Sequence, residues 1–240
     1  MPQHTAVPKA PNKKGLDITS ILMIIFIVIL PFGFYFLSKR HSNHNKSRYG
    51  LIQSMLMGNK RFAKGSPVHP HVNVNYLQSI AHEQRPKAVV ITCSDSRVSP
   101  ELIFDEGMGD LFVIRTAGNI IGEVELGSVE YAVEHLKVPL VIVMGHERCG
   151  AVQAMLSGKL PHNHIKTIID SLRNETEIKA IPQNDELRLA HCVEANVKHG
   201  VKELLSQSEV VQEAVHLGKL QVLGAHYDLD DQKVQIVVQH

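Results

Sequence analysis

The order of strand-like and helix-like stretches predicts an α/β fold: a central, mostly parallel sheet with an antiparallel edge strand, flanked by helices. Three observations carry that expectation. Residues 88–92 and 140–144 are short, continuously apolar runs rich in β-branched side chains, the pattern of parallel strands buried on both faces. An amphipathic stretch at 127–137 sets Val129, Ala132, Val133 and Leu136 on one helical face between them. Near the end, runs at 220–229 and 233–238 are joined at Asp230-Asp231, a link too short for a crossover, so the last pair is antiparallel.

Each buried run ends in chemically active residues. Cys93-Ser94-Asp95-Ser96-Arg97 follows the first and His146-Glu147-Arg148-Cys149-Gly150 follows the second. Parallel strands end at the same edge of a sheet, and open α/β sheets place their sites at that carboxyl edge, where strand order reverses. If the two strands are neighbours, Cys93, His146 and Cys149 meet there. Two thiolates and one imidazole suit Zn2+ by softness and by tetrahedral preference. Three protein ligands with one exchangeable position is the pattern of catalytic zinc. A closed structural site would need a fourth ligand, from Asp95 or one of the histidines, and the short-spaced cysteine pairs of zinc ribbons are missing. Asp95 and Arg97 stand on the same turn as Cys93. They read as an ion pair in which Arg97 holds the carboxylate off the metal while Asp95 accepts a hydrogen bond at the open position. The alternatives are Asp95 itself as a fourth ligand in an inactive state, or a surface salt bridge of little energetic value.

These two motifs, in this order and each after a strand, resemble those of the β-class carbonic anhydrases of bacterial type. The likeness runs from about residue 51 to 240 and takes in Gly58-Asn59-Lys60-Arg61-Phe62, Arg115-Thr116-Ala117-Gly118-Asn119 and Glu130-Tyr131-Ala132-Val133. The resemblance implies a zinc lyase that reversibly hydrates carbon dioxide to bicarbonate and a proton by a zinc-bound hydroxide. It also implies that the Asp95–Arg97 dyad orients that hydroxide and gates the metal, with pH selecting between the two states. Three pocket positions carry over: Gln84 as a hydrogen-bond donor to bicarbonate, and Phe112 and Tyr131 as walls of an apolar slot for CO2, across the interface of a homodimer or within a homotetramer. Read without the family, Phe112 and Tyr131 are core residues on a strand and a helix. Gly150 either permits close backbone approach beneath the metal or simply begins a helix.

This chain departs from the family at two places. The bicarbonate-inhibited branch carries Trp three residues before the first ligand cysteine and Gly just before it; here those positions are Val90 and Thr92, so the chain resembles the branch without a second bicarbonate site. Glu147 and Arg148 fill positions where many members have small or neutral residues, leaving Arg148 to face bicarbonate or solvent. Two rival functions share the same zinc ligands: hydrolysis of carbon disulfide or carbonyl sulfide, and a non-catalytic, membrane-anchored zinc-binding protein.

Length and charge bound the rest. At 240 residues with a net charge of +1, the chain has room for one good core and an appendage, and no basic block in its globular part asks for nucleic acid. With Cys93 and Cys149 on a metal, Cys192 has no disulfide partner and reads as a small buried residue on a helix. Residues 1–17 are polar and proline-containing, the composition of a disordered tail. Residues 18–37 form an uncharged apolar run long enough to span a bilayer as a transmembrane helix or uncleaved signal anchor. A cleaved signal peptide is the competing reading, disfavoured by the lack of a small-x-small site near Gly33. A basic linker at 38–48 leads to the catalytic domain at 49–240, expected on the periplasmic or extracytoplasmic side. Within that domain, helices are expected at 49–64, 75–84, from Ser99-Pro100, at 150–157 and at 186–205. A further strand is expected at 111–115, a polar helical excursion at 161–185, and a last helix capped by Ser206-x-x-Glu209 and ending at Gly218.

Overall fold

The computed structural model describes residues 49–159 and 161–240. The expected tail, membrane span and linker at 1–48 lie outside them; among the described residues no helix is long and apolar enough to cross a membrane. The strands are β1 (Ala88–Cys93), β2 (Leu111–Thr116), β3 (Leu140–His146), β4 (Gln221–Tyr227) and β5 (Val234–Gln239). They form one sheet in the order β2-β1-β3-β4-β5. The first four are mutually parallel, and β5 runs antiparallel to β4. After β1 the chain lays β2 on one side and then returns to lay β3 on the other, with Val89 opposite Val141 and Thr92 opposite Met144. Strand order therefore reverses between β1 and β3, where an α/β sheet opens a crevice.

The helices are α1 (residues 49–63), α2 (Val74–Ser79), α3 (Pro100–Ile103), α4 (Glu123–Glu134), α5 (Gly150–Leu156), α6 (Ile165–Asn174), α7 (Thr176–Lys179), α8 (Arg188–Gln207) and α9 (Glu209–His216). Every residue of β1 and β3 is buried, which is why these runs lack polar alternation. Their side chains divide between two layers. Ala88, Val90, Leu140, Ile142 and Met144 pack toward Ile52 and Met55 of α1 and toward Phe104. Val89, Ile91, Val141 and Val143 pack toward Val129, Ala132 and Val133 of α4, Val201 and Leu204 of α8 and Val211 of α9. A third cluster gathers Cys93 and Cys149 with Val152 and Met155 of α5, Ile169 and Leu172 of α6, Ile178 of α7 and Cys192 and Val193 of α8. Cys192 is thus a buried apolar residue on a helix, as its sequence context suggests. The polar excursion does form helices, and their few apolar residues roof the cysteine-bearing edge.

Several boundaries differ from the sequence reading. α4 starts at Glu123 rather than at Gly127, because the Glu125 carboxylate reaches back to accept from the Gly122 N–H at 2.9 Å and so satisfies the helix start. α2 stops at Ser79, leaving Gln84 outside a helix. No residue of α2 is buried, so no packing extends it toward Pro86. The N-cap of α9 is Ser208, whose hydroxyl accepts from the Val211 N–H at 3.2 Å, while Ser206 belongs to α8. Ala190 of α8 is exposed although Val193, Val197, Val201 and Leu204 on the same stripe are buried.

Candidate metal centre

Cys93 ends β1, His146 ends β3, and Cys149 follows on the short loop into α5. Because β1 and β3 are adjacent and parallel, the three converge at one edge, and their sulfur and ring-nitrogen atoms all lie within 4.8 Å of one another. All three residues are buried. The two Sγ atoms are 4.0 Å apart, and neither forms a disulfide. Two thiolates at the usual Zn–S distance with a tetrahedral angle stand about 3.8 Å apart, so the pair is spaced for a shared ion.

Hydrogen bonds prepare each donor. His146 Nδ1 lies 2.9 Å from the Glu147 carbonyl, which can only accept, so the ring proton sits on Nδ1 and the Nε2 lone pair is free. That Nε2 is buried and has no hydrogen-bond partner among the described residues, a cost that a bound cation would remove. Cys93 accepts from the Gly118 N–H at 3.3 Å. Donation from the Cys149 thiol outweighs the cost of burial and, with the backbone N–H groups, holds the Cys93 thiol below its ordinary value. Cys149 is pushed up, first by its bond to Cys93, then by burial and by the charge on Cys93. The protein alone thus favours one thiolate, and a divalent cation supplies the charge that lets both ionise. The donor set fits zinc.

Asp95 and Arg97 stand at the rim. Arg97 donates to Asp95 from Nε to Oδ1 at 2.9 Å, from Nη2 to Oδ2 at 2.8 Å and from its backbone N–H to Oδ1 at 2.9 Å. These bonds hold the Asp95 carboxyl well below the usual carboxylate range. Its Oδ2 is 3.9 Å from His146 Nε2, so the carboxylate looks onto the donor atoms. An exposed surface bridge would not.

Gln84, Phe112 and Tyr131 lie elsewhere. Phe112 and Tyr131 approach each other with ring centroids 6.4 Å apart, on β2 and α4. Tyr131 is 46% exposed, which corrects its reading as a core residue: on α4 it falls outside the face that Val129 and Val133 bury. Gln84 and Tyr131 line a cleft of about 610 Å³ with Ile80, Arg85 and His135, and none of the three metal donors nor Asp95 lines it. Gly150 starts α5, and an added Cβ there would meet no described atom within 4 Å. The close approach is at Gly118 instead, whose φ is 72° and whose added Cβ would stand 3.0 Å from Ala151 Cβ.

Sequence reasoning missed the residues that brace this centre. Arg115 donates to the Cys93 carbonyl at 3.1 Å and to the Asp95 carbonyl at 2.6 Å. Asn196 of α8 donates to the Gly118 carbonyl at 2.7 Å, fixing the peptide segment that serves Cys93. Arg115 and Gly118 lie in a segment quoted above for its resemblance; Asn196 had no local signal.

The family model described as carbonic anhydrase matches residues 88–234. Carbonic anhydrase 2 of Mycobacterium tuberculosis is 40% identical over 194 residues, covering 78% of this chain and 91% of that protein. A carbonic anhydrase of Mycolicibacterium smegmatis is 38% identical over 199 residues, 80% of this chain and 94% of that protein. Among solved structures, one of two tetrameric β-carbonic anhydrases from Sordaria macrospora aligns with a TM-score of 0.62 at 28% identity, covering 82% of this chain and 99% of that one. A sheet that reverses at β1 and β3, a buried Cys-His-Cys group at that reversal and these likenesses agree: the chain belongs to the β-class carbonic anhydrases.

Proposed function

We propose that this zinc-dependent carbonic anhydrase interconverts carbon dioxide and bicarbonate at a metal held by Cys93, His146 and Cys149, with Asp95 and Arg97 as the dyad that acts on the reacting oxygen. When bound, zinc supplies a Lewis acid that brings the pKa of water to about 7. The single observation that carries the reading is the buried, unpartnered His146 Nε2, which faces two thiols and the Asp95 carboxylate.

Asp95 stays ionised because Arg97 grips it with a bidentate fork, so Oδ2 can only accept. An acceptor fixed there would accept a hydrogen bond from a water or hydroxide brought to the site and would orient it toward CO2. The same fork would hold Asp95 back from the three donor atoms when a metal is bound. Arg115 holds the Cys93 and Asp95 carbonyls, keeping the carboxylate in register with the first ligand. Cys93, with the Gly118 N–H on its sulfur, is ready as a thiolate.

Gln84, Phe112 and Tyr131 serve the substrate from a second copy of the chain, in this proposal. What supports it is that the cleft lined by Gln84 and Tyr131 includes none of the metal donors within one chain, and the tetrameric state named for the Sordaria relatives. Residues 18–37 anchor the protein, with the catalytic domain outside the cytoplasmic membrane; the support is their uncharged, apolar run, and protease protection of that domain in intact spheroplasts would count against it.

The test is stopped-flow CO2 hydration with zinc content measured on the same samples. Asp95→Ala should keep its zinc and lose most of its activity, by about 100-fold on the scale of a lost transition-state hydrogen-bond partner. Unchanged turnover would remove Asp95 from the mechanism.

A further inference from the structure

Glu147 and Arg148 stand between the ligands His146 and Cys149, and the reaction above gives neither a role. Arg148 has a φ of 52°, a left-handed conformation that a residue with a long side chain keeps only when its surroundings impose it. Its guanidinium donates from Nη1 to Asp230 Oδ2 at 2.9 Å and from Nη2 to Asp230 Oδ1 at 2.7 Å, a bidentate fork across the turn that joins β4 to β5. Nη1 also donates to Glu147 Oε1 at 3.1 Å. Glu147 accepts from the Leu229 N–H through Oε2 at 3.2 Å, and its own N–H donates to the Tyr227 carbonyl at 2.9 Å. The turn is itself fixed, because Asp228 Oδ1 accepts from the backbone N–H groups of Asp230 and Asp231 at 2.7 and 3.0 Å.

The carboxylates of Glu147, Asp228 and Asp230 lie within 4.8 Å of one another. Such a concentration of negative charge needs a cation, and Arg148 supplies one in the same loop that carries the metal ligands. The loop geometry reaches the donor residues directly. His146 Nδ1 is oriented by the Glu147 carbonyl, and the φ of Arg148 helps set the direction of that same peptide.

We propose that Arg148 is a positioning residue for the metal centre: its fork to Asp230 staples the ligand loop to the β4–β5 turn and so fixes the His146 ring and the Cys149 sulfur relative to Cys93. The proposal rests on the metal reading above. It assigns to Arg148 an internal partner in place of bicarbonate or solvent.

The experiment compares the full-length wild type with Arg148→Ala, Asp230→Asn, their combination, and Arg148→Lys. Two quantities are read: the rate of zinc release to a chromogenic chelator, and the absorption of the cobalt(II)-substituted protein in its ligand-field and thiolate charge-transfer bands. Either single substitution should speed zinc release about 10-fold, the lower end of what losing an outer support of a ligand costs, and should shift the cobalt bands. The combination should add little, because both changes break one fork, and Arg148→Lys should recover part of the loss. Lys233→Ala, which breaks the 2.7 Å Lys233–Asp231 pair in the same turn, should leave both quantities at the wild-type level. A role confined to general stability would lower the melting temperature without moving the cobalt bands. Wild-type release and bands in Asp230→Asn overturn the proposal even if Arg148→Ala does not fold. A wild type with no thiolate-to-cobalt band overturns the metal reading, and this proposal with it.

Discussion

Replacing Glu175 by Gln should stabilise the protein at neutral pH by an amount that grows with pH and then levels off. Glu175 joins α6 to α7, is 4% exposed, and its Oε2 has no hydrogen-bond partner among the described residues. Burial first, and then the neighbouring Glu177 and Glu203 carboxylates, push its carboxyl up to about 8 from an ordinary 4.5. Lys202 and the His199 ring pair with Glu177, at 2.8 Å each. The sign follows from the raised value. Below pH 4.5 Glu175 is protonated folded and unfolded, and pH costs nothing. From there to about 8 the unfolded chain gives up a proton that the folded one keeps, so stability falls by about 1.4 kcal/mol per pH unit. Above that both forms are ionised and the loss is complete, at roughly 5 kcal/mol, of which roughly 3 is already felt at pH 7.

Gln removes the ionisation but leaves an amide short of a partner, which costs about 1 kcal/mol at every pH. Glu175→Gln should therefore gain about 2 kcal/mol at pH 7, or roughly 4–8 °C in melting temperature for a domain of this size. Near pH 4 it should be no more stable than wild type. Thermal unfolding of both proteins from pH 4 to 9, at fixed zinc and ionic strength, measures the difference curve. A flat difference between pH 5 and 8, or one that favours Glu175 as pH rises, would refute the reasoning.

Three further substitutions probe the packing of the sheet and the support of the site. In Gly145→Ala the new Cβ would stand 2.6 Å from Val197 Cγ2 and 3.3 Å from Val193 Cγ1, pushing β3 from α8 next to His146; urea unfolding should show a loss of about 1–3 kcal/mol, and an unchanged midpoint would contradict it. Asn59 donates to the Ile103 and Gln232 carbonyls at 3.2 and 2.9 Å and accepts from the Val234 N–H at 2.9 Å. Asn59→Ala strands the buried Ile103 carbonyl and Val234 N–H and releases the part-buried Gln232 carbonyl, and should cost about 2 kcal/mol in the same assay; a loss within error of zero would show that water replaces all of them. Asn196→Ala frees the Gly118 carbonyl and with it the N–H on Cys93, so competition with a chelator should show zinc affinity lowered about 10-fold, whereas wild-type affinity would separate Gly118 from the metal.

What could be read in advance follows from the range of the interactions involved. Residues 88–92 and 140–144 declare themselves as buried strands because each is almost wholly apolar, and the ligands sit within about five residues beyond them, so strand adjacency brings the centre together. The Asp95–Arg97 pair is equally local. The clamp from Arg148 to Asp230 and the brace from Asn196 to Gly118 join residues 82 and 78 positions apart, and neither leaves a pattern in the surrounding sequence. Glu175 lies in a polar stretch, Arg173-Asn174-Glu175-Thr176-Glu177, that reads as solvated; Leu172 and Ile178 on either side draw it inward. The start of α4 depends on a different kind of signal. Gly127 reads as a boundary, yet it lies inside a helix whose start is marked by the Gly122–Glu125 pair. Tyr131 could not be placed by apolar periodicity, because an aromatic ring on the exposed side of a helix looks in sequence like one on the buried side.

X-ray absorption at the zinc edge of the purified, zinc-loaded protein tests the central claim most directly. The account predicts two sulfur scatterers near 2.3 Å, one imidazole nitrogen and one further light atom. A shell without sulfur, or a protein that binds no zinc at all, would contradict it.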